Sequence, residues 1–416
     1  MTAVAGLRGT GDWGTDERPK NFRELILWRN PNGSAPIFAL MAKVKKETTN
    51  DPEFSWWDEP NDLVRLQASA AFNSTVTTIT VDSSDPGSTD ATKDNRWGLA
   101  KHLVIGDLLL VEPVTDSATY DHEIMRVEAI ASDTSFTVTR GVAGTTAASI
   151  ANDQYFLLIG NQFEEGTAAP NSSTRNPIKY FNYTQIFKTT YEVTGTAAAT
   201  KIRTGDPLAN ERKRKTFDHS RGIELSILFS VKNETTGADG KPLRTFDGIR
   251  KFIPGKTTTI LTAATRNTHG LMDAVYKVFD FDSPSGDVRI AFAGNEALLN
   301  MNKYIHEDTA TTINYSEKIT KLWGMTFEEL ILPQGRLLIK RHPLMARNTL
   351  YTQSMFILDF GNLKWRPLKG RDTKFKDNIQ NDDEDSIRGM WQTEGGLEVG
   401  AGGLTMGYIG GIASPP

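Results

Sequence analysis

The stretch from Asn182 to Ser230 constrains this chain most. A polar, extended-looking segment, NYTQIFKTTYEVTGTAAATK, runs straight into a long charged helix. Between Ile186 and Thr200 the apolar side chains are too sparse to bury a face against the chain's own domain. The pattern therefore predicts an arm that finds its partners on neighbouring subunits, and it turns the question from catalysis to assembly. Asp206 can cap the helix and Pro207 suits its first position. The helix should end near Ser230, before the breaker run 233–240, giving ~24 residues or ~36 Å at ~1.5 Å per residue. Its first half, with Glu211, Arg212, Lys213, Arg214 and Lys215, is charged almost all round. Phe217, Ile223, Leu225, Ile227, Leu228 and Phe229 fall in the second half. Only that half is expected to dock deeply, the first crossing an exposed or intersubunit surface.

Composition removes several function classes. The 416 residues allow two or three compact units, and 38% hydrophobic with 24% charged residues describes a globular chain. A net charge of −4 argues against a basic coat that neutralises phosphates broadly. The absence of cysteine excludes disulfides, thiolate metal sites and cysteine nucleophiles, and fits a reducing cytoplasm. No apolar run approaches the ~20 residues that span a bilayer. The start, MTAVAGLRGTGDWGTDERPK, lacks the basic head and apolar core of a secretory signal. The expectation is a soluble chain with no membrane partner.

Residues 1–50 read as an N-terminal arm on a neighbour, with a lid on the chain's own core as the alternative. In EFSWWDEP (53–60), Trp56 and Trp57 are adjacent, so on a strand they must face opposite sides. Short alternating runs at 75–81, 103–111, 122–130 and 136–140, separated by turn clusters at 82–87, 116–119 and 132–133, predict a small all-β module. Past the helix the pattern is α+β. Leu271, Met272, Val275, Tyr276 and Phe279 keep helical spacing behind Asn267 or Thr268. Hairpins are expected at 325–340, about Pro333-Gln334-Gly335, and at 355–368, about Gly361-Asn362.

Candidate chemistry is thin. Gly255-Lys256-Thr257 lacks the partner glycine of a phosphate loop, because position 250 is Arg250 and Pro254 precedes it. The acidic run 381–385 lacks the ligand spacing of a calcium loop and reads as solvated. Six scattered histidines form no zinc or hydrolase motif. The basic run Arg212–Lys215 is either a solvated face, with Glu211 and Lys215 paired at i, i+4, or a contact for an acidic partner or phosphate. No catalytic, metal or cofactor-binding residue is assigned. The candidate intersubunit contacts are Trp56, Trp57, Gln185, Ile186, Phe187, Tyr191, Arg212 and Arg214.

The order of these parts resembles the major capsid proteins of tailed phages, the HK97-like fold, in the branch whose extended loop carries a β insertion. The resemblance is carried by FSWWDEP (54–60), NYTQIFKTTYEVTGTA (182–197), NERKRKTFDHSRGIELSILF (210–229), RTFDGIRKFI (244–253) and RPLKGRDTKFKDNIQNDDED (366–385). It implies an α+β capsid fold with residues 1–50 as N-arm, 51–66 and 161–204 as extended loop, and 67–160 as inserted β domain. Residues 205–231 would be the spine helix, 232–284 with 346–416 a peripheral domain, and 285–345 an axial domain. It further implies hexamers and pentamers closing an icosahedral shell around double-stranded DNA, bound non-specifically. Portal and decoration proteins are implied partners. The resemblance also implies a virion location after assembly in the bacterial host cytoplasm. No long helical segment precedes the arm, so a separate scaffolding protein is expected.

Two other classes stay open. One is another phage structural protein, of the tail or a decoration, that binds a surface through the β module. The other is a hydrolase with a carbohydrate-binding module led by Trp56, Trp57, Trp97, Asp58 and Glu59, although neighbouring carboxylates on a strand do not give the ~5–10 Å spacing that glycoside hydrolysis needs.

Overall fold

A computed structural model of the chain describes residues 35–41, 46–59, 64–82, 98–113, 122–171, 177–200, 205–307, 319–322, 325–345 and 350–415. Residues 1–34 of the expected arm, Trp97 and the 116–119 turn lie outside the described residues.

Runs such as MFIL (355–358) and, apart from the buried Arg289, VRIAFA (288–293) are apolar on both sides of the pleat, the mark of strands covered on two faces. They lie inside a seven-stranded sheet made of β12 (Thr258–Ile260), β13 (Val288–Ala293), β14 (Ile319–Leu322), β15 (Met325–Leu332), β16 (Gly335–Arg341), β17 (Met355–Leu358) and β21 (Gly407–Gly410), in the order β12-β21-β17-β13-β16-β15-β14. β12 with β21 and β13 with β16 are parallel, and the other pairs are antiparallel. Ile290, Phe292, Leu338, Phe356 and Leu358 enter one core cluster. Ala291, Ala293, Leu337, Ile339, Met355 and Ile357 enter another, closed by α5 (Thr268–Val275) and α6 (Asn295–Glu307). Asn267 caps α5 by accepting from the Gly270 N–H at 2.8 Å. The 325–340 hairpin forms, with Leu332 opposite Gly335 and Pro333-Gln334 as the turn.

The second sheet corrects the arm reading. β9 (Gln185–Thr194) pairs antiparallel with β20 (Ser386–Val399) over ten residues, from Thr194↔Ser386 to Gln185↔Gly395. On its other edge β20 carries β19 (Lys374–Lys376) and β18 (Leu363–Pro367). The apolar residues of β9 are sparse because they alternate: Tyr191 and Val193 are buried, and Phe187 packs on the main core. Fully burying an apolar side chain is worth roughly 1.5–3 kcal/mol, so Tyr191 and Val193, with the partly buried Phe187, anchor the strand on its own body. Close approach is possible because position 389 is glycine. A Cβ there would lie 2.5–2.7 Å from the Tyr191 ring and hydroxyl.

Across this sheet runs α3 (Pro207–Phe229), whose N-cap Asp206 accepts from the Leu208 N–H at 3.0 Å. Ile223, Ile227 and Leu228 face the core, while Leu225 points to solvent. After α3 the chain makes an exposed hairpin, β10 (Asn233–Thr236) with β11 (Pro242–Thr245), then the short α4 (Ile249–Phe252). Residues 241–253 are thus part strand and part helix.

The expected 355–368 hairpin does not form. β17 and β18 belong to different sheets, and Asp359 turns the chain between them. Its carboxylate accepts from the Gly361 N–H at 3.0 Å and from Asn362 Nδ2 at 2.8 Å, replacing the ladder a hairpin would need. Nor do residues 285–345 form a sheet separate from the C-terminal strands, since β13 pairs with β17 and β21 closes onto β17.

The described parts of residues 35–50 pack on the chain's own body, which is the lid alternative. α1 (Pro36–Met41) buries Ile37, Leu40 and Met41 in the main core beside α3. Thr49 forms a parallel bridge to Leu368, donating its N–H to Pro367 O at 3.0 Å.

β1 (Glu53–Asp58) and β8 (Ile178–Tyr183) form a two-stranded ribbon with Trp56 opposite Tyr180. Asn182 roots it: its Nδ2 donates to Leu397 O at 2.7 Å and Asp247 O at 3.2 Å, and its Oδ1 accepts the N–H groups of Tyr183 and Asp247, both at 2.9 Å. Between the ribbon strands the chain builds a six-stranded antiparallel sheet from β2 (Arg65–Gln67), β3 (Thr78–Thr80), β4 (Asp107–Val111), β5 (Ile124–Ser132), β6 (Ser135–Thr139) and β7 (Tyr155–Asn161), ordered β2-β7-β4-β5-β6-β3. This sheet has its own core around Leu66, Leu109, Val127, Phe136 and Phe156. Beside that core sits a buried ion pair, Arg140 with Glu123, whose carboxylate also takes the N–H groups of Gly141 and Ala148.

Asn182→Ala should destabilise the body by about 2–4 kcal/mol, because buried backbone groups on three segments lose partners at once. Urea unfolding monitored by Trp fluorescence checks this, and a change under about 1 kcal/mol would remove Asn182 from that role.

Candidate intersubunit surface

The ribbon sorts its side chains by pleat. Phe54, Trp56 and Tyr180 face inward, with ring centroids 6.0 Å apart at each step, and Phe252 lies 6.0 Å from Trp56 on another side. Trp56 Nε1 donates to Val399 O at 3.0 Å, so the indole has a partner for its polar atom. The outward face carries Trp57 and Phe181, with Trp57 61% exposed. Lys232 Nζ sits 3.7 Å above the Phe181 ring in a cation–π contact, and the Tyr183 ring meets the same ring edge-on at 5.8 Å.

β9 continues the same sorting. Ile186 is 50% exposed, whereas its neighbour Phe187 meets Phe246 edge-on at 6.3 Å. Gln185 is half-buried, and its Oε1 has no hydrogen-bond partner among the described residues. Tyr191 stacks on Phe375 at 6.1 Å and donates its hydroxyl to Asp377 at 3.0 Å. Burial first, then the bond to Asp377 and its negative charge, raise the phenol's pKa.

The charged start of α3 is partly used within the subunit. Arg212 lays its guanidinium 3.9 Å over Phe375, which ties the helix to β19. Arg214 pairs with Glu211 at 2.7 Å, and Lys215 lies 3.9 Å from Asp218, so the expected Glu211–Lys215 pairing is replaced by i, i+3 contacts. Of the eight residues singled out from sequence, Trp57, Ile186 and Arg214 face outward. Trp56, Phe187 and Tyr191 turn into the subunit, Gln185 is half-buried, and Arg212 is exposed but lies over Phe375 of its own chain.

Several residues carry no signal in the sequence pattern. Leu243 on the β10–β11 hairpin is 63% exposed, and Val231 before it is also exposed; nothing in KPLRT marks an outward leucine. His219 is, by sequence, only one of six scattered histidines. It is buried between sheet and helix, with Nδ1 3.0 Å from Thr189 Oγ1 and Nε2 2.8 Å from Thr393 Oγ1. It thereby couples α3 to both β9 and β20.

A model of the SU10 major capsid protein family matches residues 6–413. The chain belongs to that family of phage major capsid proteins. It is a capsid subunit that builds a shell from many copies and a component of the virion. The major capsid protein of Pseudomonas phage PaMx41 is 26% identical to it over 97% of this chain and 92% of that one. Solved structures of lower likeness come from Mycobacterium phage Cain (TM-score 0.44, 8% identity, 99% of each chain covered) and Mycobacterium phage Bobi (TM-score 0.44, 7% identity, 95% of this chain and 96% of that one). Among the described residues of the capsid subunit, no helix is long and apolar enough to cross a membrane.

Desolvation lowers the pKa of His219 from its ordinary value of 6.5. The unfolded chain therefore binds this proton more readily than the folded one. The junction's stability is full above pH 6.5 and declines as pH falls from there towards the lowered folded value. Thermal unfolding should show a lower Tm at pH 5.5 than at pH 7.5, with a smaller drop for His219→Gln. An equal drop in both proteins would show that another group is responsible.

Proposed function

We propose that this capsid subunit assembles as hexamers and pentamers into the icosahedral head of a tailed phage, following the HK97-like plan, and encloses double-stranded DNA that it contacts without reading sequence. It acts as a building block, not a catalyst. In this reading the β1–β8 ribbon and β9 form the base of the extended loop, the six-stranded module is the insertion it carries, and α3 is the spine. A scaffolding protein, a portal and decoration proteins are its further partners, and assembly takes place in the bacterial host cytoplasm.

The observation that carries the contact surface is the outward placement of Trp57 and Ile186 on strands whose alternate residues are locked inward. Large apolar groups held rigidly in solvent lose little freedom on docking, and Trp is favoured at interface centres. Arg214, exposed on α3 and paired with Glu211, supplies charge for the rim. Interfaces in permanent assemblies bury upwards of ~2,000 Å². A closed lattice sums many such contacts, so each one can be weak.

Trp57→Asp and Ile186→Asp should each leave the subunit folded, with a Tm close to wild type, and abolish shells seen by electron microscopy. Phe187→Asp, one residue along, should unfold the subunit instead. Normal shells from the Trp57→Asp, Ile186→Asp double variant would exclude this face from the lattice.

A further inference from the structure

α3 covers one face of the β9–β20–β19 sheet: His219 reaches Thr189 and Thr393 from it, and Arg212 lies over Phe375. Residues of the opposite parity point to the other face. There the register aligns Ile186 with Glu394, Lys188 with Gln392 and Lys374, Thr190 with Met390 and Lys376, and Glu192 with Arg388. The two ends of this face are balanced in charge, since Arg371 bonds Glu394 and Arg388 lies 3.9 Å from Glu192. Between them stand Lys188, Lys374 and Lys376, each exposed. Neighbouring strands lie ~4.8 Å apart and residues i and i+2 ~7 Å apart, so the three lysines root a cluster roughly 7–10 Å across.

The hairpin that carries two of these lysines ends in the opposite charge. Asp382, Asp383, Glu384 and Asp385, in the turn between β19 and β20, are all exposed. The turn is held in one shape. The Glu384 N–H donates to Asn381 O, Asn381 Nδ2 donates to the Glu384 carboxylate, and the Gly195 N–H donates to Asp385 O, each at 3.1 Å. The acidic tip does not serve its own lysines. β20 begins at Ser386, and the lysine rows cross it at Met390 and Gln392. At ~3.4 Å per residue those rows are roughly 14 and 20 Å from the start of the strand, beyond the reach of the side chains involved.

We propose that the acidic 381–385 turn of one subunit docks on the Lys188–Lys374–Lys376 cluster of a second copy. The two surfaces are opposite in sign and sit apart on one rigid hairpin, so a copy that donates its turn to one neighbour can accept the turn of another. Such a contact repeats around a closed assembly. An ordered turn and a sheet face lose little freedom on docking. Single exposed ion pairs are weak, but matched clusters set register and reject wrong partners. Ile186 occupies the row beside Lys188 on the same face, so the charged contact adjoins the apolar one. The inference rests on assembly from many copies and does not involve Trp57.

Shell formation by the full chain, read by sedimentation and electron microscopy, tests the contact. Lys188→Glu, Lys374→Glu and Lys376→Glu together should lower the shell yield about tenfold at ~0.1 M salt, with a Tm close to wild type. Asp382→Lys, Asp383→Lys and Glu384→Lys together should do the same. One chain carrying both sets should recover shells, because the signs are exchanged but still match. Wild-type yields from either partial reversal, or no recovery in the combined chain, overturn the contact. If the lysine reversal leaves shells intact and instead costs them the duplex DNA that wild type retains, the face meets DNA and the contact is likewise overturned. A second measurement needs no variant. Wild-type shells of mixed isotopically light and heavy subunits, treated with a zero-length carbodiimide, should yield cross-links from these lysines to residues 382–385 that join light to heavy peptides. Links confined to one label, or none, overturn it. The wild-type shells in each run separate this outcome from failure of the assembly reading itself.

Discussion

The antiparallel pairing of β9 with β20 is the constraint on which the rest of the body depends. It joins residues roughly 200 positions apart, so it closes a long loop whose entropic cost must be offset by contacts made in the same step. Those contacts are visible. Tyr191 settles on Gly389, His219 bridges Thr189 and Thr393, and Arg212 caps Phe375 on the neighbouring strand. With β9 fixed, α3 has a floor, and with α3 fixed, α1 and the seven-stranded sheet have a wall. The order of dependence runs from one ladder to two cores.

This also changes what the long polar segment is for. A strand whose inward residues are satisfied at home does not need a neighbour to be ordered. It can instead present its other face in a defined position. Ile186 and Trp57 stand in solvent because Phe187 and Trp56 do not, and the same backbone sets both. A preformed contact surface loses less entropy on association than an arm that orders as it binds. In the proposed assembly, strand geometry would set the specificity of the contact.

Much of the local structure was legible in the sequence. Asp206-Pro207 marked the start of α3, Pro333-Gln334 marked a turn, and the adjacent tryptophans announced opposite faces. The long-range pairing was not legible. Nothing near Gln185 names Gly395 as its partner, and β20 looks unlike a core strand because its glycines replace side chains with room for rings from elsewhere. The turn at Gly361-Asn362 has hairpin composition, yet the Asp359 side chain satisfies its backbone and frees the two strands to join different sheets. At the candidate surface, alternation told that the two tryptophans face opposite sides but not which of them is buried. Leu243 was missed because a single exposed leucine leaves no periodic trace.

The way the six-stranded module joins the body has a consequence for how the chain folds. Val64 O accepts the Leu158 N–H at 3.0 Å, so the two ends of the module meet side by side. Once that sheet has formed, β1 and β8 no longer search for each other across roughly 120 free residues but across tethers of about 6 and 16 residues, and the entropic barrier to zipping the ribbon shrinks accordingly. The module can be enlarged, trimmed or exchanged for another compact unit with neighbouring termini, and the ribbon beneath it would still close.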